Sequence, residues 1–513
     1  MKPTFSWEGS EPGVLRPLPL DPDAGRLLEA IRQDMGGSRD LVVRRFGDAS
    51  AASPPAALVY IDGISDDETA DRYVADVLRA AGTGPDGLSP PSSEAASAAL
   101  RLLGTIGSGE PVPDMAVFYE RLLSGSAMLV LDGSELAYAV PNAKWKEREI
   151  SESPNQTSIR GPRESFTETL RVNTGLLRRK IKDPRLWMES IHLGRMTKTE
   201  VCLVYIQGLA KPSVVAEARS RLQAIDIDGV LDSGYVEELI EDDRRSFFPT
   251  MKNTELPDSV AGELLEGKIA ILVGGSPNAL IAPAPFLSFM QTAEDYYQYA
   301  LYSSLLRLLR LLGLFIALLL PSIYIAITTF HRDMLPFTLL FSLMAQREGV
   351  PFPAFVEALA MEVTFEILRE AGLRMPRPIG QAVSVVGTLV IGQAAVEAGI
   401  VSAAMVIVVS VTAIATFTLP SYSISIPIRM LRFLFMAVAA SFGLYGIILA
   451  QLLLLLHLAS LKTFGESYMS PIAPLRPRAL LDALVRVPRW ASFAQPAGSR
   501  RAGARRYRGR RPN

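Results

Sequence analysis

Residues 311–330 read LLGLFIALLLPSIYIAITTF, twenty consecutive positions without a charge. At 1.5 Å per residue, a helix of that length matches a hydrocarbon layer about 30 Å thick, so the stretch reads as a transmembrane span. No uncharged apolar run of spanning length precedes it, and several follow. Between Ile379 and Ile428 the only charge is Glu397, and this run is long enough for two helices that turn near Gly399 and end before Pro420. Residues 433–461 form a further uncharged run that reads as the last span, which makes four expected crossings. Two intervening segments differ. Residues 335–345 are apolar but short, and Arg347, Glu348 and three breaking residues follow, which suits a re-entrant or interfacial piece. Residues 354–372 place Glu362, Glu366, Arg369 and Glu370 on one helical face and Phe355, Ala358, Met361 and Phe365 elsewhere, the pattern of an amphipathic helix.

The chain of 513 residues is 49% hydrophobic with a mean hydropathy of +0.22, yet 20% of it is charged, so the apolar residues are concentrated in one part. Cys202 is the single cysteine, and His192, His331 and His457 lie far apart. A disulfide scaffold is excluded, a structural zinc site is disfavoured and no cofactor is expected. The net charge of −1 hides an asymmetry: residues 471–513 hold eleven Arg against Asp482 alone, leaving the first 470 residues at −11. Pro3, Trp7, Glu8 and Glu11 stand where a secretory signal needs a basic start and an apolar run, so the N-terminal region is expected in the cytosol. The Arg-rich end argues the same for the C-terminal region, and an even number of spans follows. One tension results: with four spans, Arg369, Arg374 and Arg377 fall in an external loop, which the positive-inside rule disfavours.

The part before the spans carries a repeat. LVYIDG at 58–63 returns as LVYIQG at 203–208, and LLSGSAMLVLDGS at 122–134 returns as LLEGKIAILVGGS at 264–276, each continuing to a proline, Pro141 and Pro283. Short β-branched runs before a glycine and a helical pattern indicate two duplicated α/β subdomains. The expected organisation is an N-terminal tail (1–35), subdomain 1 (36–150), subdomain 2 (151–292), an interfacial linker helix (293–310), a transmembrane domain (311–465) and a basic cytosolic tail (466–513). A Gly/Pro/Ser-rich loop near residues 84–96 and a polar linker at 147–163 punctuate the first part. In the linker helix, Tyr296, Tyr297, Tyr299 and Tyr302 precede Arg307 and Arg310, side chains with apolar stems and polar tips that suit a membrane interface.

Residues 262–268 (GELLEGK) resemble a phosphate loop, but Ile269 stands where Mg²⁺ needs a hydroxyl and Glu263 and Glu266 repel phosphate. Asp226, Asp228 and Asp232 resemble a calcium loop in which Gly229 comes too early. No nucleophile elbow or Cys/His pair occurs, and no enzyme is expected. More informative is the run from Gln381 to Gly399. Gln381, Ser384, Thr388, Gly392, Ala395 and Gly399 fall within a stripe of about 80° at 100° per residue, with Val385 alongside. Such a small, mildly polar face either lines a wet pore between several copies of the helix or packs helices closely in lipid. Glu397 ends this helix, and Glu362 and Glu366, at i and i+4, form either acidic rings in a cyclic oligomer or the wet face of a surface helix. The Arg-rich end, Arg500 to Arg511, suits anionic lipid at about 1 kcal/mol per residue, rather than a specific nucleic acid.

DLVVRRF (40–46), RGPRESFTE (160–168), LPSIYIAITTFHRDMLP (320–336), REGVPFP (347–353), EILREAGLRMPRPIGQAVSVVGTLVIGQAAVEAG (366–399) and FGESYMSPIAP (464–474) together resemble the A subunit of the GerA family of spore germinant receptors, over roughly residues 36–475. The resemblance implies a spore inner-membrane protein that assembles with a transporter-like B subunit and a lipoprotein C subunit. It also implies self-association into a channel whose cation release starts germination, and it favours the pore reading of residues 381–399. Stage V sporulation protein AF and its relatives share these motifs, so a non-conducting scaffold or accessory paralogue is the alternative. The Arg-rich extension is not part of the family pattern.

Overall fold

The computed structural model describes residues 18–46, 56–70, 72, 109–143, 156, 160–374 and 392–488, and these divide into two compact units. The first consists of residues up to Asp242 together with Met251–Pro283, and the second of Asp243–Thr250 and Ala284–Val487. The loop near 84–96, most of the linker at 147–163, and Gln381, Ser384, Val385, Thr388, Arg377 and Arg500 to Arg511 lie outside the described residues.

The first unit contains the repeat. Helix α1 (Ala24–Asp34) leads into strands β1 (Leu41–Phe46), β2 (Ala56–Ile61) and β3 (Glu110–Val112), helix α2 (Met115–Leu122), and strands β4 (Ala127–Leu131) and β5 (Ala137–Val140). After α3 (Leu170–Lys180) come β6 (Leu186–Leu193), β7 (Thr199–Ile206), α4 (Pro212–Gln223), α5 (Ser233–Ile240), β8 (Lys252–Thr254), α6 (Pro257–Leu265), β9 (Ile269–Val273) and β10 (Ala279–Ala282). The sheets are ordered β1-β2-β4-β5-β3 and β6-β7-β9-β10-β8, one topology twice, with every neighbouring pair antiparallel. LVYIDG and LVYIQG therefore occupy equivalent strands. Every residue of β2 is buried because alternate side chains enter different cores: Ala57, Val59 and Ile61 on one face, Ala56, Leu58 and Tyr60 on the other. The glycines that follow α2 and α6 in the repeated motifs are matched in conformation, Gly125 (φ 96°) with Gly267 (φ 86°), and a Cβ there would meet Ile64 O at 3.0 Å or Leu209 O at 2.8 Å.

The boundary expected at residue 35 moves. Ala24, Leu27, Leu28 and Ile31 of α1 are buried in the first core, because Asp23 caps the helix and its apolar residues recur on one face. The two subdomains are joined through Arg178, which is fully buried. Its guanidinium donates to both Asp40 oxygens (2.8 and 3.0 Å), to Ser38 Oγ (3.3 Å) and to Asp183 O (3.3 Å). The first residue of the DLVVRRF motif is thus a salt-bridge partner of the second subdomain's first helix.

The second unit is a helical bundle. Helix α7 (Ala300–Thr329) is followed by α8 (Phe337–Arg347), α9 (Ala354–Arg374), α10 (Gly392–Glu397), α11 (Ala403–Phe417) and the run α12 (Tyr422–Ser460), then by a small hairpin of β11 (Lys462–Thr463) and β12 (Glu466–Ser467), and by α13 (Pro477–Leu484). Of these, α7 and α12 are long and apolar enough to cross a membrane. The linker expected at 293–310 is not a separate helix: a 3₁₀ turn at Ala293–Tyr296 precedes α7, which runs unbroken from Ala300. The single last span expected at 433–461 also changes. Gly443 has φ 61° and ψ −145°, so residues 422–442 and 444–460 are two helices. A Cβ on Gly446 would lie 3.0 Å from Val438 O, eight residues back, so the second half folds against the first.

Contacts fix the helix directions. Thr418 meets Gly313 of α7 while Ser402, at the other end of α11, holds Glu357 of α9, so α11 runs against α7. Arg432 lies beside Ala317 and Gly443 beside His331, so 422–442 runs with α7. The return leg brings His457 to Ser246 (3.0 Å) and Tyr468 to Phe286, next to the start of α7. The tail expected from 466 is folded as far as Val487. Tyr468 is fully buried, and Arg486 donates to the carbonyls of Gln298 (2.9 Å) and Tyr296 (3.2 Å).

Candidate functional site: a buried charge network in the helical bundle

Helix α9, read from sequence as an amphipathic helix, lies inside the bundle with Ala354, Glu357, Ala358 and Glu362 buried. Its carboxylates face groups on three other helices. Arg432 is buried and donates to Glu362 Oε2 (2.6 Å), Ala317 O of α7 (2.8 Å) and Thr416 Oγ1 of α11 (3.0 Å). A full charge in such surroundings is tolerated because the guanidinium is planar and presents several donors at once. One helical turn away, Glu366 pairs with Arg429 (3.0 Å) and Arg369 (3.6 Å), while Arg369 lies over the rings of Phe365 and Phe417, 5.2 Å from each centroid. One turn in the other direction, Glu357 Oε1 accepts from Ser402 N (2.6 Å) and Ser402 Oγ (2.5 Å), and its other oxygen lies 3.8 Å from Arg347 Nε.

The network therefore stitches α7, α9, α11 and α12 over successive turns of α9, with three guanidiniums against two carboxylates around Arg432. Not all of its groups are saturated: Glu362 Oε1, Glu357 Oε2, Arg429 Nη1 and two nitrogens of Arg369 have no hydrogen-bond partner among the described residues. A buried cluster with spare donors and acceptors has more than one pairing available to it, the property a two-position helix contact requires.

The sequence candidates are placed as follows. Glu362 and Glu366 are each neutralised by arginines of their own chain and present no free acidic face. Glu397 is exposed and accepts from Gln393 (2.9 Å). Gly392 is buried at the start of α10 and Ala395 half-buried within it. Tyr299 and Tyr302 are exposed, whereas Arg307 and Arg310 do not reach outward: both bind Asp295, at 3.1 and 2.8 Å. Burial alone would raise the Asp295 carboxyl, but Arg310 and Arg307 hold it below the usual range. Tyr296 lies under Arg307 and Arg486, and Tyr297 is half-buried beside it.

In the first unit, the GELLEGK lysine is engaged internally. Lys268 and Lys252 bind the buried carboxylate of Glu263, whose burial they outweigh, holding it well below its ordinary range. Asp232 caps α5 and Asp226 binds Arg195 (2.5 Å), so both have structural work. Cys202 is core, its thiol pushed far up by burial.

Comparison with known proteins gives a consistent picture. The family described as Bacillus/Clostridium GerA spore germination protein matches residues 29–497. The chain is 44% identical to spore germination protein KA of Bacillus subtilis (strain 168), over 94% of this chain and 87% of that one. It is 39% identical to spore germination protein GerLA of Bacillus cereus, over 92% and 94%. The crystal structure of the N-terminal domain of the A subunit of the Bacillus megaterium spore germinant receptor GerK3 is 38% identical, covering 53% of this chain and 99% of that one with a TM-score of 0.40.

Proposed function

This chain belongs to the GerA family of spore germination proteins, and from that premise we propose that it is the A subunit of a nutrient germinant receptor in the spore inner membrane. The proposed role is not enzymatic. The subunit works with a transporter-like B subunit and a lipoprotein C subunit, and several copies surround an ion path lined by Gln381, Ser384, Val385, Thr388, Gly392 and Ala395.

The supporting observation is the direction of the helices. Arg369 packs on Phe417 and Arg374 follows it, whereas Gly392 approaches Val406 near the other end of α11. The described residues on either side of positions 375–391 thus lie at opposite ends of the bundle. On this reading α7, α9, α11, 422–442 and 444–460 each run along the bundle, α9, α11 and 444–460 opposite to α7. Arg369 and Arg374 then lie at the end of the bundle where α7 starts, the cytosolic end on this reading, as the positive-inside rule favours.

Replacing Ser384 and Thr388 with leucine tests the path. Ion release from spores or from vesicles carrying the complete receptor should fall at least tenfold while receptor abundance stays constant. Unchanged release would leave the second reading, a non-conducting scaffold, which the internal pairing of Glu362 and Glu366 favours because it leaves no acidic ring there.

A further inference from the structure

Helix α8 has no buried residue, and Phe337, Phe341 and Met344 are exposed along it. Between this helix and the end of α7 lies a cavity of about 530 Å³, within the roughly 300–1,000 Å³ of small-ligand sites. Its walls are of two kinds. Leu340, Phe341 and Met344 form an apolar side, while Arg332, Arg347 and Glu348 supply charge. Arg332 donates through Nε to Thr328 O (2.8 Å), which fixes its guanidinium plane, and its two terminal nitrogens make no hydrogen bond or ion pair among the described residues. Arg347 Nε is buried without a hydrogen bond, 3.8 Å from Glu357.

We propose that this cavity binds one anionic glycerophospholipid, its phosphate on Arg332 and Arg347 and an acyl chain against Leu340, Phe341 and Met344. A fixed guanidinium with free terminal donors is matched by a phosphate, which accepts two parallel N–H bonds. A free inorganic anion would leave the apolar wall wet, and an uncharged lipid would leave Arg332 unanswered. Glu348 lies on the same lining and disfavours a second negative charge, so a single phosphate fits better than a polyanionic headgroup. The site also reaches the charge network: a phosphate on Arg347 competes with Glu357, the carboxylate that holds Ser402 at the start of α11. Lipid occupancy thereby biases the α9–α11 contact.

The test uses the purified full chain and native mass spectrometry after extraction from vesicles containing phosphatidylglycerol and diacylglycerol. One phosphatidylglycerol per chain should survive washing, and Arg332→Gln and Ala345→Trp, the latter filling the cavity, should each lower its retention at least fivefold. Both positions are exposed, and unchanged circular dichroism and elution will confirm that the variants fold. Equal retention of diacylglycerol, displacement by millimolar inorganic phosphate, or undiminished retention in both variants would overturn the proposal.

Discussion

Replacing Arg432 with methionine strands the carboxylate of Glu362, which is 0% exposed, among hydrophobic side chains. Removing one member of a buried pair costs about 3–5 kcal/mol, mostly because the remaining charge has neither water nor partner. Ala317 O and Thr416 Oγ1 lose a donor in the same change, at about 1 kcal/mol each within that figure. Glu362→Leu alone leaves the guanidinium unpaired but keeps its bonds to Ala317 and Thr416, so it should cost somewhat less. The double variant Glu362→Leu/Arg432→Met removes both charges and fills their volume with apolar atoms, a replacement that is often neutral or better. It should therefore lie within about 2 kcal/mol of the parent, a coupling of at least about 2 kcal/mol. The assay is an SDS titration of the purified full chain in mild detergent, followed by loss of helical circular dichroism for all four proteins. If the double variant loses the sum of the two single losses, the carboxylate and guanidinium do not act as a pair, and the account of the bundle's centre is wrong.

Three further outcomes follow from local geometry. Gly443→Val should unfold at a lower SDS fraction than the parent, because its Cβ would meet His331 Cε1 at 2.7 Å and the left-handed φ of 61° is strained for a branched residue. In the first unit, Arg178→Met leaves Asp40 buried and unpaired and should cost about 3–5 kcal/mol, read as faster hydrogen exchange in α3, β1 and β6 together. Burial, with Glu241 and Asp232 nearby, pushes the Glu237 carboxyl up to about 7. A folded-state pKa raised above the unfolded value favours folding fully below about 4.5, and that advantage is lost as pH rises through 7. Glu237→Gln should therefore unfold at a higher temperature than the parent at pH 8 and show little difference at pH 4, and a difference that grows on acidification would refute the assignment.

The parts of the fold legible in the sequence were those written in local periodicity. Strands such as LVYIDG and LVYIQG repeat because one supersecondary unit occurs twice, and the matched strand order is the three-dimensional form of that repeat. The apolar run from 311 marks α7 because lipid demands length and absence of charge together. What stayed hidden depends on residues distant along the chain. Helix α9 looked like a surface helix because Glu362 and Glu366 read as solvated charge, and their partners Arg432 and Arg429 stand 70 and 63 residues away. A complementary spacing was present, carboxylates at i and i+4 on one helix and guanidiniums at i and i+3 on another, but pairing them requires knowing that the two helices touch. The break at Gly443 was masked for the opposite reason: its surroundings are uniformly apolar, and an uncharged run of 29 residues reads equally well as one tilted helix or two short ones. Composition alone cannot separate them, since both readings call for the same uncharged side chains. The backbone at one glycine separates them, and with it the end of the bundle to which His457 and Tyr468 return.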